Sequence, residues 1–143
     1  MAQPLEAACL AIAAVVRNHV TAIRQVHDYT PDNPNAYPMA VVYPLSGNRG
    51  VYTIGNQRAL HDITIDVLEP QQQSTLARFM ASFIPLVDLV SDALLSEITG
   101  GRFGNTIETF DRVDYSFIPR IDYAADPMRG YRFVVRGVKI LSE

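Results

Sequence analysis

The strongest constraint on this chain is the alternation in residues 59–68, ALHDITIDVL. Successive side chains of a strand point to opposite faces, so His61, Ile63, Ile65 and Val67 share one side and Asp62, Thr64 and Asp66 share the other. Such a segment builds a sheet with one apolar face, and that face must be covered. The last third repeats the pattern. Val113, Tyr115, Phe117, Ile121 and Tyr123 alternate with Asp114, Ser116, Arg120 and Asp122, and Tyr131, Phe133 and Val135 alternate with Arg132 and Arg136. Residues 124–130 read as the turn between these two strands. Beyond Gly137 the apolar parity moves to Val138 and Ile140, a shift that one inserted residue produces, so a β-bulge is expected there. MAVVY (39–43) is a β-branched run and reads as a buried strand.

Two segments supply the cover. In residues 4–18, Leu5, Cys9, Ile12, Val15 and Val16 recur at helical spacing behind a first-turn proline, Pro4. Glu69-Pro70 ends a strand and opens a second apolar stripe, through Leu76, Phe79, Met80, Phe83, Leu86, Val90, Leu94 and Ile98. Pro85 is expected to kink this helix or to divide it into 72–83 and 85–98. The glycines of TGGRFGNT (99–106) should stop it. Residues 20–28 read equally well as a short strand or a helical turn, and YTPDNPNAYP (29–38), with three prolines, reads as an irregular loop. The expected architecture is one α+β domain over residues 1–143. It is a two-layer sandwich, with a mostly antiparallel four-stranded sheet and two main helices packed on one face.

The residues that could carry chemistry do not cluster. His19, His27 and His61 lack a second metal-type residue at ligand spacing, so neither a metal site nor a catalytic residue is expected. GGRFG (100–104) follows a helix, whereas a phosphate loop follows a strand and opens a helix, so no nucleotide cofactor is expected. Cys9 is the single cysteine and reads as core filler. No apolar run approaches the ~20 residues that span a bilayer, and the N-terminus does not have the order of a secretory signal, so no membrane partner is expected. A net charge of −3 argues against gripping nucleic acid through its phosphates, though not against DNA passing nearby. Of the 12 basic residues only Lys139 is lysine. Arginine, weakly hydrated and fork-shaped, suits protein interfaces, although codon bias gives the same composition.

Residues 44–58, PLSGNRGVYTIGNQR, form a connection punctuated by Gly47, Gly50 and Gly55. Two residues suffice to join antiparallel strands, so the excess length calls for a stabilising neighbour, and another subunit is one candidate.

In layout the chain resembles the small tail-terminator and tail-completion proteins of long-tailed bacteriophages. The resemblance lies in an N-terminal helix, the Pro/Asn-rich loop, PMAVVYPLSG, the glycine-punctuated arm, ALHDITIDVLEP, the helix LARFMASFIPLVDLVSDALL and two closing strands. It implies a virion structural protein without enzymatic activity, assembled in the host cytoplasm as a homohexameric ring in the tail-neck region. The ring would cap the tail tube, end its polymerisation and meet the head-completion or neck protein, with DNA at most passing through the lumen. The ring would close through a heterologous interface. Arg49, Arg58 and Arg102 would pair with acids across the seam, and Val51, Tyr52, Ile54 and Phe103 would lie in it. Asp62 and Asp66 would face the lumen. Two other readings fit the same residues: another head–tail connector or tail-tube subunit, and a small-molecule-binding α+β domain.

Overall fold

The computed structural model describes residues 4–27, 36–53, 56–98, 100–123 and 126–140, with side chains at all of these except 49–53, 56–58, 102 and 123. The order of elements is α1 (Pro4–His19), β1 (Gln25–His27), β2 (Met39–Thr53), β3 (Asn56–Pro70), α2 (Leu76–Ser96), β4 (Ile107–Thr109), β5 (Arg112–Tyr123) and β6 (Asp126–Ile140). The α+β class and the two main helices are as expected. The sheet is not: it is six-stranded and curled, in the order β1-β2-β3-β6 with β5 and β4 both on β6. It is mixed, because β1 pairs parallel to β2 at Met39–Val41. The ambiguous stretch after α1 thus resolves as a turn followed by a three-residue strand. The prolines and asparagines of 28–35 lie outside the described residues.

Both helices cover one face of the sheet. Ile12 and Val16 of α1 and Phe79, Phe83, Leu86, Val90 and Leu94 of α2 share a buried cluster with Ala40, Val42, Ile63, Ile65, Val67, Phe133 and Val135. Cys9 is buried in that cluster, as its alanine-rich surroundings imply. Within α2 the buried residues recur every three or four positions, which gives one continuous stripe. Phe79 stacks on Phe83 with ring centres 4.3 Å apart and also packs near Tyr131 and Phe117. Burying side chains of this size stabilises by about 1.5–3 kcal/mol each.

α2 differs from expectation at both ends. Pro85 does not divide it: it is one 21-residue helix with the proline inside it. It opens at Thr75, whose hydroxyl accepts the Arg78 N–H, rather than at Glu69-Pro70; Pro70 is still strand. It ends at Ser96 with Glu97 in right-handed conformation, ahead of the glycines. α2 is also long and apolar enough, by length and composition, to cross a membrane, with mean hydropathy 1.6. Counting uninterrupted apolar runs missed this, because Asp88 and Asp92 break the run while the helix stays apolar on average.

No helix among the described residues covers the far face of the sheet, yet Met39, Val41, Leu68 and Met128 are buried there, with Tyr37, Tyr43, Ile118 and Ile121 packed around them. Strands of 12 to 15 residues accumulate twist, which accords with the curl of the sheet. The expected bulge is present: His61 pairs Val138 and Ile63 pairs Val135, so Arg136 and Gly137 together stand opposite Asp62. Gly137 has φ +68°, the left-handed region where glycine carries no penalty. The turn expected at 124–130 is shorter, since β6 already begins at Asp126. Gly130 lies inside β6, where a Cβ would sit 1.8 Å from the Val67 carbonyl oxygen.

Candidate assembly surfaces

The 44–58 segment is not an extended connection. β2 and β3 remain paired from Met39↔Leu68 to Thr53↔Asn56, so the segment is one long hairpin in which each strand gives its inward main-chain groups to the other. β3 pairs with β6 only from His61 onward, and β2 pairs with β1 only at Met39–Val41. From Gly47 and His61 to its end the hairpin is a ribbon of two strands. At ~3.3 Å per residue, Arg49–Thr53 extends it about 13 Å beyond the level at which β6 ends, at Ile140. Two-stranded ribbons are marginally stable in water alone.

Of the residues expected at an intersubunit seam, Ile54 lies outside the described residues, as do the side chains of Arg49, Val51, Tyr52, Arg58 and Arg102. The backbone sets the first three and Arg58 on the ribbon. Phe103 is a correction. It is 3 % exposed and meets Phe110 edge-on at 6.0 Å, inside the protomer's own core. It holds φ +54° in a left-handed turn shared with Gly104 and Asn105, a conformation costly for a bulky side chain. Burial of its ring, and donation of its N–H to the Glu97 carboxylate at 3.3 Å, hold it there.

Asp62 and Asp66 do share a face, the one away from the helices, but neither is a free acid. Asp66 is fully buried and takes two hydrogen bonds from Arg132, at 2.8 and 3.1 Å, and a third from the Tyr43 hydroxyl at 2.7 Å. Thr64 between them is also fully buried. Asp62 receives Arg136 at 3.0 Å, the Gly137 N–H at 3.1 Å and the Ser46 hydroxyl at 3.2 Å. Burial pushes the Asp62 carboxyl up, and these three donors outweigh it, so its pKa lies below the ordinary 3.8. Arg136 also bonds Asp114 at 3.1 Å, and Arg112 bonds Asp114 and Asp111. The Arg136 pKa is raised by Asp62 and then by Asp114. The two acids belong to a ladder of paired charges running from β3 to β5, to which the Tyr43 and Ser46 hydroxyls of β2 also donate. The alternating pattern identified the shared face, but the arginines that neutralise it come from β6, 66 and 74 residues away in sequence.

Among the described residues no group of three or more His, Cys, Asp or Glu side chains could hold a metal ion. His19 ends α1, and its Nδ1 lies 3.1 Å from the Val15 carbonyl oxygen, at the end of the helix that favours positive charge. His61 lies on the helix side, opposite to Asp62.

Three further surfaces escaped sequence reasoning. The outer edge of β5, twelve residues long, pairs with no strand among the described residues. Tyr115 (60 % exposed) and Phe117 (39 %) stand beside that edge on the helix side. At the opposite edge, Leu5, Leu45, Gly47 and His61 line an open groove of about 340 Å³ at the root of the ribbon. The third is the outward side of α2, with Leu76, Ile84, Leu89 and Leu95 exposed. Strand alternation marks Tyr115 and Phe117 as core; only the sheet order shows that they fall at its rim. No family model matches this chain, and no curated protein matches it.

Proposed function

We propose that this chain is a non-enzymatic virion structural protein of a long-tailed bacteriophage. Copies of it form a ring that caps the tail tube, ends its polymerisation and joins it to the head-completion proteins of the neck. The observation that carries the reading is the ribbon of β2 and β3, which leaves the sheet and exposes backbone edges that a neighbouring copy can use. Arg49, Val51, Tyr52 and Arg58 on this ribbon are the residues assigned to the seam. The free β5 edge supports the same reading, because a heterologous contact needs two different surfaces on each copy. The charge ladder on the far face sets three arginines (Arg112, Arg132 and Arg136) among four acids (Asp62, Asp66, Asp111 and Asp114), and carries no excess of positive charge with which to hold DNA.

The test is capping. Added to polymerising tail-tube protein, the purified chain should arrest growth at fixed stoichiometry and appear by electron microscopy as one closed ring at a tube end. Incorporation along the tube would make it a tube subunit, and no effect on tube growth would overturn the reading.

A further inference from the structure

We infer that the outward side of α2 is a contact surface for a second copy of this chain, which docks its own α2 antiparallel about a two-fold axis through Pro85. The inference does not rest on the ring reading. Neighbours in a ring are related by the ring's own rotation, so a two-fold contact joins copies from separate assemblies.

The core stripe of α2 uses Phe79, Phe83, Leu86, Val90 and Leu94. The opposite side is exposed, and it is not uniformly polar, since Ile84 is 55 % and Leu89 48 % exposed. Its charges are set against the helix. Arg78 stands in the first turn, at the positive end of the dipole, and Asp88 and Asp92 stand one turn apart toward the negative end. These are the only charged residues of α2, and none has an ion-pair partner among the described residues. Nothing within the protomer favours this arrangement.

Against an antiparallel copy of the same helix, each placement becomes favourable. Arg78 and Asp92 each lie seven residues from Pro85, about two turns or 10 Å, so the three fall nearly on one line along the exposed side. A two-fold axis through Pro85 sets Arg78 of each copy against Asp92 of the other. Each charge then meets the helix end that suits it. The same axis sets Ala81 opposite Leu89, a small residue against a large exposed one. It sets Ser82 opposite Asp88, a hydroxyl donor against a carboxylate. Every match occurs twice. Pro85 has no N–H, so the axis leaves no proline donor unsatisfied. Parallel docking in register would set Arg78 on Arg78 and Asp92 on Asp92, so the charges select the antiparallel arrangement. One helix side is a small surface, in the class below ~1,200 Å² that gives transient complexes. The pair is therefore weak and forms above the concentrations reached in size-exclusion chromatography.

The test is charge reversal in the full chain, read by sedimentation equilibrium over a wide range of concentration. The wild type should show a reversible, low-affinity association step that weakens as salt is raised. Arg78→Asp and Asp92→Arg should each weaken that step at least tenfold, because each sets two like-charge pairs across the axis. Both changes relieve the protomer: the first puts an acid in the first turn of α2, and the second separates the like charges at 88 and 92. Thermal unfolding should therefore show folds at least as stable as the wild type. An equimolar mixture of the two variants should regain the step, since the two reversed charges then face each other and so do the two native ones. A wild type without the step at its highest soluble concentration overturns the contact. So do single reversals that leave the step unchanged, or a mixture of folded variants that does not regain it. Arrest of tube growth does not depend on this contact, so the ring reading stands or falls on its own test.

Discussion

The carboxylate of Asp66 on β3 is fully buried and is gripped by the Arg132 guanidinium of β6 through two near-parallel hydrogen bonds, at 2.8 and 3.1 Å. The Tyr43 hydroxyl of β2 donates to the same carboxylate and accepts from Arg132 at 3.1 Å, so three strands meet at one buried charge. Removing one partner of such a pair leaves an uncompensated charge in a poor solvent, whereas replacing both by apolar groups removes the desolvation cost too.

Arg132→Met should therefore destabilise the fold by about 3 kcal/mol, while the double replacement Asp66→Leu/Arg132→Met should recover most of that loss. Urea unfolding of the wild type, both single variants and the double variant measures the coupling. Additive losses would mean that the pair is not a unit.

The Asp62 cluster predicts acid sensitivity of a particular sign. The folded pKa of Asp62 is lowered, so its contribution is fully present above the ordinary carboxylate value of 3.8 and fades as pH falls through the folded value. Asp62→Asn should reduce stability at neutral pH and flatten the stability profile below 3.8. Thermal unfolding followed across pH 2–7 in both proteins checks this; parallel profiles would contradict it. Arg136 adds no slope there, because its pKa is raised further by Asp62 and Asp114 and it stays charged throughout.

Gly130 is predicted to be intolerant even of alanine. The added Cβ would meet the Val67 carbonyl oxygen at 1.8 Å, and only backbone movement can relieve that. Gly130→Ala should cost at least the ~1–3 kcal/mol of ordinary overpacking. Gly104→Ala meets nothing within 4 Å but occupies φ +66°, so its cost should be the smaller strain of a left-handed alanine. Chemical denaturation of the two variants side by side gives the ranking.

The residues that made the fold legible are those whose side chains alternate or recur. Ile63, Ile65 and Val67 announced β3, the stripe from Phe79 to Leu94 announced α2, and the parity change at Gly137 announced the bulge. The ribbon was hidden because its pairing is made by backbone, and Gly47 and Gly50 interrupt any side-chain period. β1 was hidden by its length, since three residues carry no periodicity. The burial of Asp66 was hidden for another reason. Alternation says which residues share a face but not whether a curled sheet shields that face, and it is silent about an arginine arriving from β6. Phe103 looked like a loop residue beside glycines, while its burial depends on Phe110, which periodicity does not connect to it.

The central claim is that the β2–β3 ribbon exists to join copies of this chain. Gly47 and His61 are register partners, so residues 48–60 can be replaced by a two-residue turn that leaves the remaining sheet pairing intact. Light scattering coupled to size exclusion should give a single ring mass, a fixed multiple of 15.9 kDa, for the intact chain, and a folded monomer for the shortened one. An intact ring from the shortened chain, or an intact chain that stays monomeric at high concentration, would contradict the account.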